Sequence, residues 1–324
     1  MKLNVLFLRK RYIYYGTLLI LIFVLLILFL LSKNTSYIFS TSNDKKSIQN
    51  YDLTGDGLKD SIYILNNKNQ YEINVTSKEK NYILKSKNEL NNLGNHYTYW
   101  PLRLTLLDAS RDKLPEIFVQ ASKDGSPIQN VFMWKNNKFQ NIINNSNNLL
   151  GFIDYHNNKT PKIILGNLNN KTAELSNYII SKNNLIKYPS NYNSNFLGKD
   201  SILEFIKYID SLPYNILYSP REVFYPEAAN SITKTVDTLS SFNATYYFQD
   251  GFFIDNGCDK DGVITSMKWI LNFKGISNSD TKIVKNYTLN LILKPSGDTN
   301  SSYYFKIFYA DFITQDNSSA LYLP

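Results

Sequence analysis

The ten residues Tyr51–Asp60, YDLTGDGLKD, gather three aspartates, two glycines and a threonine. Counted from Asp52, oxygen-bearing side chains fall at loop positions 1, 3, 5 and 9: Asp52, Thr54, Asp56 and Asp60, with Gly57 at position 6. Alternating oxygens on a tightly turned backbone converge on one point, and the carbonyl of Leu58 at position 7 adds a further ligand. That is hard-cation chemistry. Calcium takes six to eight oxygens at roughly 2.3–2.6 Å, whereas magnesium demands stricter geometry and keeps more water. Position 12 is Tyr63 rather than an acid, so the loop is not an EF-hand.

The spacing recurs twice. Asp108, Ser110, Asp112, Leu114 (through its carbonyl) and Glu116 occupy positions 1, 3, 5, 7 and 9 of a second loop. Asp154, His156, Asn158 and Thr160 follow the same pattern in a third, where Lys162 replaces the acid at position 9. Three carboxylates this close repel one another without a cation, which assigns Ca2+ to the first loop. The second has Arg111 and Lys113 as internal counter-charges and no glycine at position 6. Lys162 makes the third a structural relic. The competing account of all three is that the aspartates close turns through side-chain to backbone hydrogen bonds.

The context repeats with the loops. Apolar stretches (PLRLTLLD, NLLGFID) lead into them and others (DSIYIL, EIFVQA, KIILGN) lead out, followed by hairpins whose turns are KNNK and KNN. Asn there takes the positive φ that tight hairpins require. Each unit of about fifty residues reads strand, acidic loop, strand, hairpin, strand, the content of one propeller blade. The pattern resembles the FG-GAP/VCBS repeat family, integrin-like β-propeller blades with short calcium loops, over residues 46–190. The resemblance implies calcium-ligand roles for Asp52, Thr54, Asp56, Leu58 and Asp60, and for Asp108, Ser110, Asp112, Leu114 and Glu116.

Two further segments frame this domain. Residues 12–31, YIYYGTLLILIFVLLILFLL, carry no charge and follow Lys2, Arg9, Lys10 and Arg11 in a basic N-terminus of residues 1–11. Their length suits a bilayer, and the positive flank places the N-terminus in the cytoplasm. The expectation is an uncleaved, single-pass transmembrane signal anchor in the cell membrane, a linker over 32–45, and everything beyond it extracytoplasmic. After a second linker over 191–199, residues 200–324 read as an α+β domain. A capping box at Ser201–Glu204 opens one helix, Pro226 opens another, and four long strands follow. That element order is similar to nuclear-transport-factor-2-like or cystatin-like layouts.

Chemistry beyond the loops is sparse. Of the net charge of +8, Lys2, Arg9, Lys10 and Arg11 carry four units and no acid precedes Asp44, so the remainder argues against a nucleic-acid partner. Cys258 is the sole cysteine, which excludes an intramolecular disulfide. It stands among Asp255, Asp259 and Asp261, carboxylates that raise a thiol pKa rather than activate it. His96 and His156 belong to no nucleophile or zinc signature. The expected function is a membrane-anchored, extracytoplasmic binding or structural protein with calcium-stabilised β-repeats. Its partners are the membrane, through the N-terminal helix, and an envelope protein or polymer. The alternative is an envelope-associated enzyme with its site in the C-terminal domain.

Overall fold

Residue pairs with positive φ set the hairpins. Lys68–Asn69, Asn136–Asn137 and Lys182–Asn183 have φ between 49° and 61°, the geometry that joins twisted antiparallel strands. The computed structural model describes residues 10–31, 37–41, 45–87, 93–157, 159–169, 172–189, 198–214, 219–313 and 321–322. Residues 1–35 and 36–324 form separate units.

The first unit holds helix α1 (Lys10–Leu31). Residues 12–31 do not stand as the expected transmembrane anchor: among the described residues no helix is long and apolar enough to cross a membrane. The single-pass topology and the membrane and extracytoplasmic locations fall with it. Lys2 and Arg9 of the basic N-terminus lie outside the described residues.

The second unit begins with β1 (Tyr37–Thr41), followed by three four-stranded antiparallel meanders. The first comprises β2 (Lys45–Tyr51), β3 (Asp60–Asn67), β4 (Gln70–Ser77) and β5 (Lys80–Ile83). The second comprises β6 (Leu102–Leu107), β7 (Glu116–Lys123), β8 (Ser126–Lys135) and β9 (Lys138–Asn145). The third comprises β10 (Leu149–Ile153), β11 (Lys162–Leu168), β12 (Ala173–Ser181) and β13 (Asn184–Tyr188). Residues 190–197, most of the second linker, lie outside the described residues. Then come α2 (Lys199–Asp210), a 3-10 turn (Arg221–Val223), α3 (Ala229–Ser241), β14 (Ala244–Cys258), β15 (Ile264–Ser277), β16 (Val284–Pro295), β17 (Phe305–Phe312) and β18 (Leu321–Tyr322).

The expected fold class, an all-β repeat domain followed by a separate α+β domain, is corrected by the strand pairing. Strand β10 pairs in parallel with β14. The third meander and the four C-terminal strands are therefore one eight-stranded sheet, in the order β13-β12-β11-β10-β14-β15-β16-β17. Strands β1 and β18 extend the second meander into a six-stranded sheet. The result is a predominantly β unit with few helices. Gly151 makes the parallel pairing possible: a Cβ there would stand 2.0–2.3 Å from the ring of Phe253, its register partner.

Side-chain alternation stacks the sheets. Leu102, Leu104 and Leu106 pack with Ile62, Ile64, Ile73 and Val75 of the first meander. Phe118 and Val131, on the opposite face of the six-stranded sheet, pack with Leu150, Phe152 and Phe252 of the eight-stranded sheet. Leu149, Ile153 and Phe253 point the other way, toward Ile202, Phe205 and Ile206 of α2 and Leu239 of α3. Middle strands with both faces covered become continuous apolar runs, as in β10; β6 is buried along its whole length but carries Arg103 and Thr105. Ser201 does not cap α2; the N-cap is Gly198, and the Ser201 hydroxyl donates to the carbonyl of Phe305.

A buried polar network ties the six- and eight-stranded sheets. Asp250 accepts from the Arg103 guanidinium and the Trp100 indole, each at 2.6 Å, and from the Asn272 amide. Gln120 accepts from Arg103 and donates to the carbonyl of Gly251. An enclosed ion pair offsets its desolvation only when its remaining hydrogen bonds are made, and here both Asp250 oxygens are engaged.

Candidate cation loops

Each acidic loop joins the first two strands of a meander: Asp52–Asp60 between β2 and β3, Asp108–Glu116 between β6 and β7, and Asp154–Lys162 between β10 and β11. The first two have one backbone. Positions 4 and 6 take positive φ in both: Gly55 (75°) and Gly57 (80°), then Arg111 (62°) and Lys113 (74°). Glycine adopts this region freely, whereas other residues are strained there.

The hydrogen bonds match position by position. The position-1 carboxylate accepts from the N–H of positions 5 and 6: Asp52 from Asp56 (3.3 Å) and Gly57 (2.8 Å), Asp108 from Asp112 (3.1 Å) and Lys113 (2.9 Å). Position 5 accepts from position 7: Asp56 from Leu58 at 2.8 Å and Asp112 from Leu114 at 2.9 Å. Position 9 accepts from position 2, Asp60 from Leu53 and Glu116 from Ala109, both at 2.8 Å. Thr54 at position 3 shares a hydrogen bond with Ser77, and Ser110 donates to Asp108. Turn closure by aspartate is thus present in both loops. Among the described residues no three His, Cys, Asp or Glu side chains are gathered into a metal-holding group.

The position-9 acids need more than the turn supplies. Asp60 is buried, and its Oδ1 has no hydrogen-bond partner. Glu116 is 1% exposed. Burial, aided by Asp108 and Asp112, pushes its carboxyl up to about 8 against the Ala109 N–H and Ser110 bonds. Burial raises Asp108 as well. Among the described residues no lysine or arginine pairs with Asp108, Asp112 or Glu116. Arg111, expected to neutralise them, instead donates to the carbonyls of Tyr155 (3.0 Å) and Lys159 (3.2 Å). A buried acid with acidic neighbours and no counter-charge fits a hard cation, and so does the orphaned oxygen of Asp60.

Lysines meet acids of the first and third loops. Asp56 pairs with Lys78 at 3.1 Å; its pKa is lowered, first by the Leu58 N–H and then by Lys78 and Ser77. In the third loop the Lys162 ammonium lies on Asp154. Its missing position-9 acid is supplied from β14: Asp255 accepts the N–H groups of Tyr155 (3.1 Å) and His156 (2.9 Å). Sequence spacing could not reveal Asp255, about a hundred residues away; its one signal was an aspartate within the apolar run of β14.

Cys258, His156 and Asp255 lie together beside the third loop, with His156 Nδ1 3.6 Å from Asp255. The Cys258 thiol donates weakly to the His156 carbonyl at 3.7 Å, and burial with Asp255 and Asp259 raises its pKa. The Asp259 side chain accepts from Asp261 and Val263, closing a polar turn. A cavity of about 450 Å³ beside α2 and α3 is walled by Tyr208, Phe224, Tyr225, Ile232 and Val236, with Arg221 and Asp237 its charged groups among the described residues. No family model matches the chain, and neither does any curated protein.

Proposed function

We propose that this chain is a binding or structural protein whose stacked β-repeats are stabilised by calcium in the first two acidic loops, in the manner of FG-GAP/VCBS blades. The ligand roles fall to Asp52, Thr54, Asp56, Leu58 and Asp60, and to Asp108, Ser110, Asp112, Leu114 and Glu116. What carries the proposal is Glu116: a buried carboxylate, flanked by two further acids, in a loop whose arginine is turned away. A divalent cation supplies the missing charge and takes the place of the Glu116 proton. The third loop supports it, since a lysine ammonium sits on the position-1 aspartate there.

The binding reading takes support from the cavity beside α2 and α3, whose described walls are largely aromatic and aliphatic. The test is the melting curve of the full chain in calcium and in a chelator. A ligand bound only by the folded state adds RT ln(1 + [L]/Kd), about 2.7 kcal/mol at a hundredfold excess over Kd. An unmoved curve would mean that the loops are turns and nothing more.

A further inference from the structure

The three loops differ in one respect beyond the acids they carry, namely where a lysine stands. In the third, the ammonium of Lys162 is largely enclosed against Asp154. In the second, no lysine or arginine among the described residues reaches the carboxylates. In the first, Lys78 reaches Asp56 from the turn between β4 and β5, and its side chain is 56% exposed. That pair is therefore exchangeable in a way the Lys162 pair is not. Asp56 Oδ2 is also within 3.3 Å of the Ser77 hydroxyl, so the lysine and the neighbouring serine both hold the carboxylate that position 5 would give to a metal.

Lys78 lies in a groove of about 640 Å³ between that turn and the β8–β9 hairpin. Tyr82 and Trp134 line it and meet edge to face at 5.1 Å. Lys80 and Asn137 are also on its wall, as are two acids, Asp56 and Glu79, so that with Lys78 the lysines and acids of the lining balance until a cation takes up Asp56. We infer that Lys78 is a built-in competitor for the first-loop cation, and that metal binding there releases its ammonium into this groove. The groove then suits an anionic group carried on a ring: the ammonium holds the charge and the aromatic wall holds the ring. Calcium and the anion reinforce each other, because coupling between two sites is reciprocal. The inference rests on the calcium proposal for the first loop and adds the partner chemistry of that site.

The experiment titrates calcium into the full chain in a Glu116→Gln background, which leaves the first loop as the measured site. An exposed ion pair contributes about 0.2–1 kcal/mol, which corresponds to a change of about 1.4- to 5-fold. Lys78→Met should tighten calcium binding by that factor, and Lys78→Arg, which keeps a competing cation, should match the parent. Naphthalene-2-sulfonate should bind the parent more tightly in calcium than in chelator by the same factor, and this dependence should vanish in Lys78→Met. Melting curves in chelator verify that each variant is folded. Calcium binding that ignores Lys78→Met, or sulfonate binding that ignores calcium, overturns the inference and leaves the calcium proposal standing. Absence of calcium binding in every variant removes the first-loop site and this inference with it, while calcium binding by the wild-type chain decides the second loop separately.

Discussion

Replacing Glu116 by glutamine isolates the group on which the calcium proposal depends. The amide keeps an oxygen to accept the Ala109 N–H and abolishes the titration. In the folded chain without divalent cation, burial pushes the Glu116 carboxyl up to about 8, against an ordinary value of 4.5. Between those values the folded state binds more protons than the unfolded state, so stability falls as pH rises. A difference of about 3.5 pH units at 1.36 kcal/mol each makes the loss about 5 kcal/mol, complete above pH 8. Asp108, also raised by burial, adds to the loss in the same direction. Urea denaturation followed by circular dichroism, in chelator, from pH 4.5 to 9 measures it. The wild type should lose stability steadily across this window, and Glu116→Gln should be much flatter. Saturating calcium should flatten the wild-type profile as well, by replacing the proton with a cation. Equal slopes for wild type and Glu116→Gln in chelator would refute the assignment of an uncompensated charge to this residue.

Asp250→Ala should cost about 3–5 kcal/mol in denaturant titrations, because it leaves the enclosed Arg103 without its counter-charge. Gly151→Ala should destabilise comparably to other overpacked sites, about 1–3 kcal/mol, since its methyl group meets the Phe253 ring; a neutral result would refute the close approach of β10 and β14. Gly57→Ala should cost about 1–2 kcal/mol through its φ of 80°, measured in chelator to separate backbone strain from metal. Asp154→Ala should lower the melting temperature equally with and without calcium, because Lys162 already satisfies that carboxylate.

Local features were the most legible in the sequence. Asn136–Asn137 form the hairpin turn their residue types favour, Asn183 shares its turn with a strained Lys182, and alternating apolar residues mark strands such as β3 and β4. The loop spacing brought out positions 1, 5 and 9, which the hydrogen bonds of Asp52, Asp56 and Asp60 reproduce at Asp108, Asp112 and Glu116. Pairings between distant segments left no local trace. The parallel contact of β10 with β14, the addition of β1 and β18 to the second meander, and the Arg103–Asp250 network all depend on which surfaces meet. The expected boundary between a repeat domain and an α+β domain failed for this reason: Leu149–Ile153 reads alike as the end of one sheet or the middle of another. Counter-charges were equally hidden. Arg111 and Lys113 look like neutralising neighbours by position, yet the Arg111 guanidinium reaches the third loop. Lys78, eighteen residues beyond Asp60, is the lysine that meets Asp56.

Isothermal titration of calcium into the chelator-treated full chain at pH 7, in two buffers of different ionisation enthalpy, tests the account most directly. A carboxyl with a pKa of about 8 is about 0.9 protonated at pH 7, so filling the second loop should release about 0.9 proton per chain. The account predicts calcium binding with that proton release, and its loss in Glu116→Gln. Absence of binding, or binding with the same heat in both buffers, would contradict it.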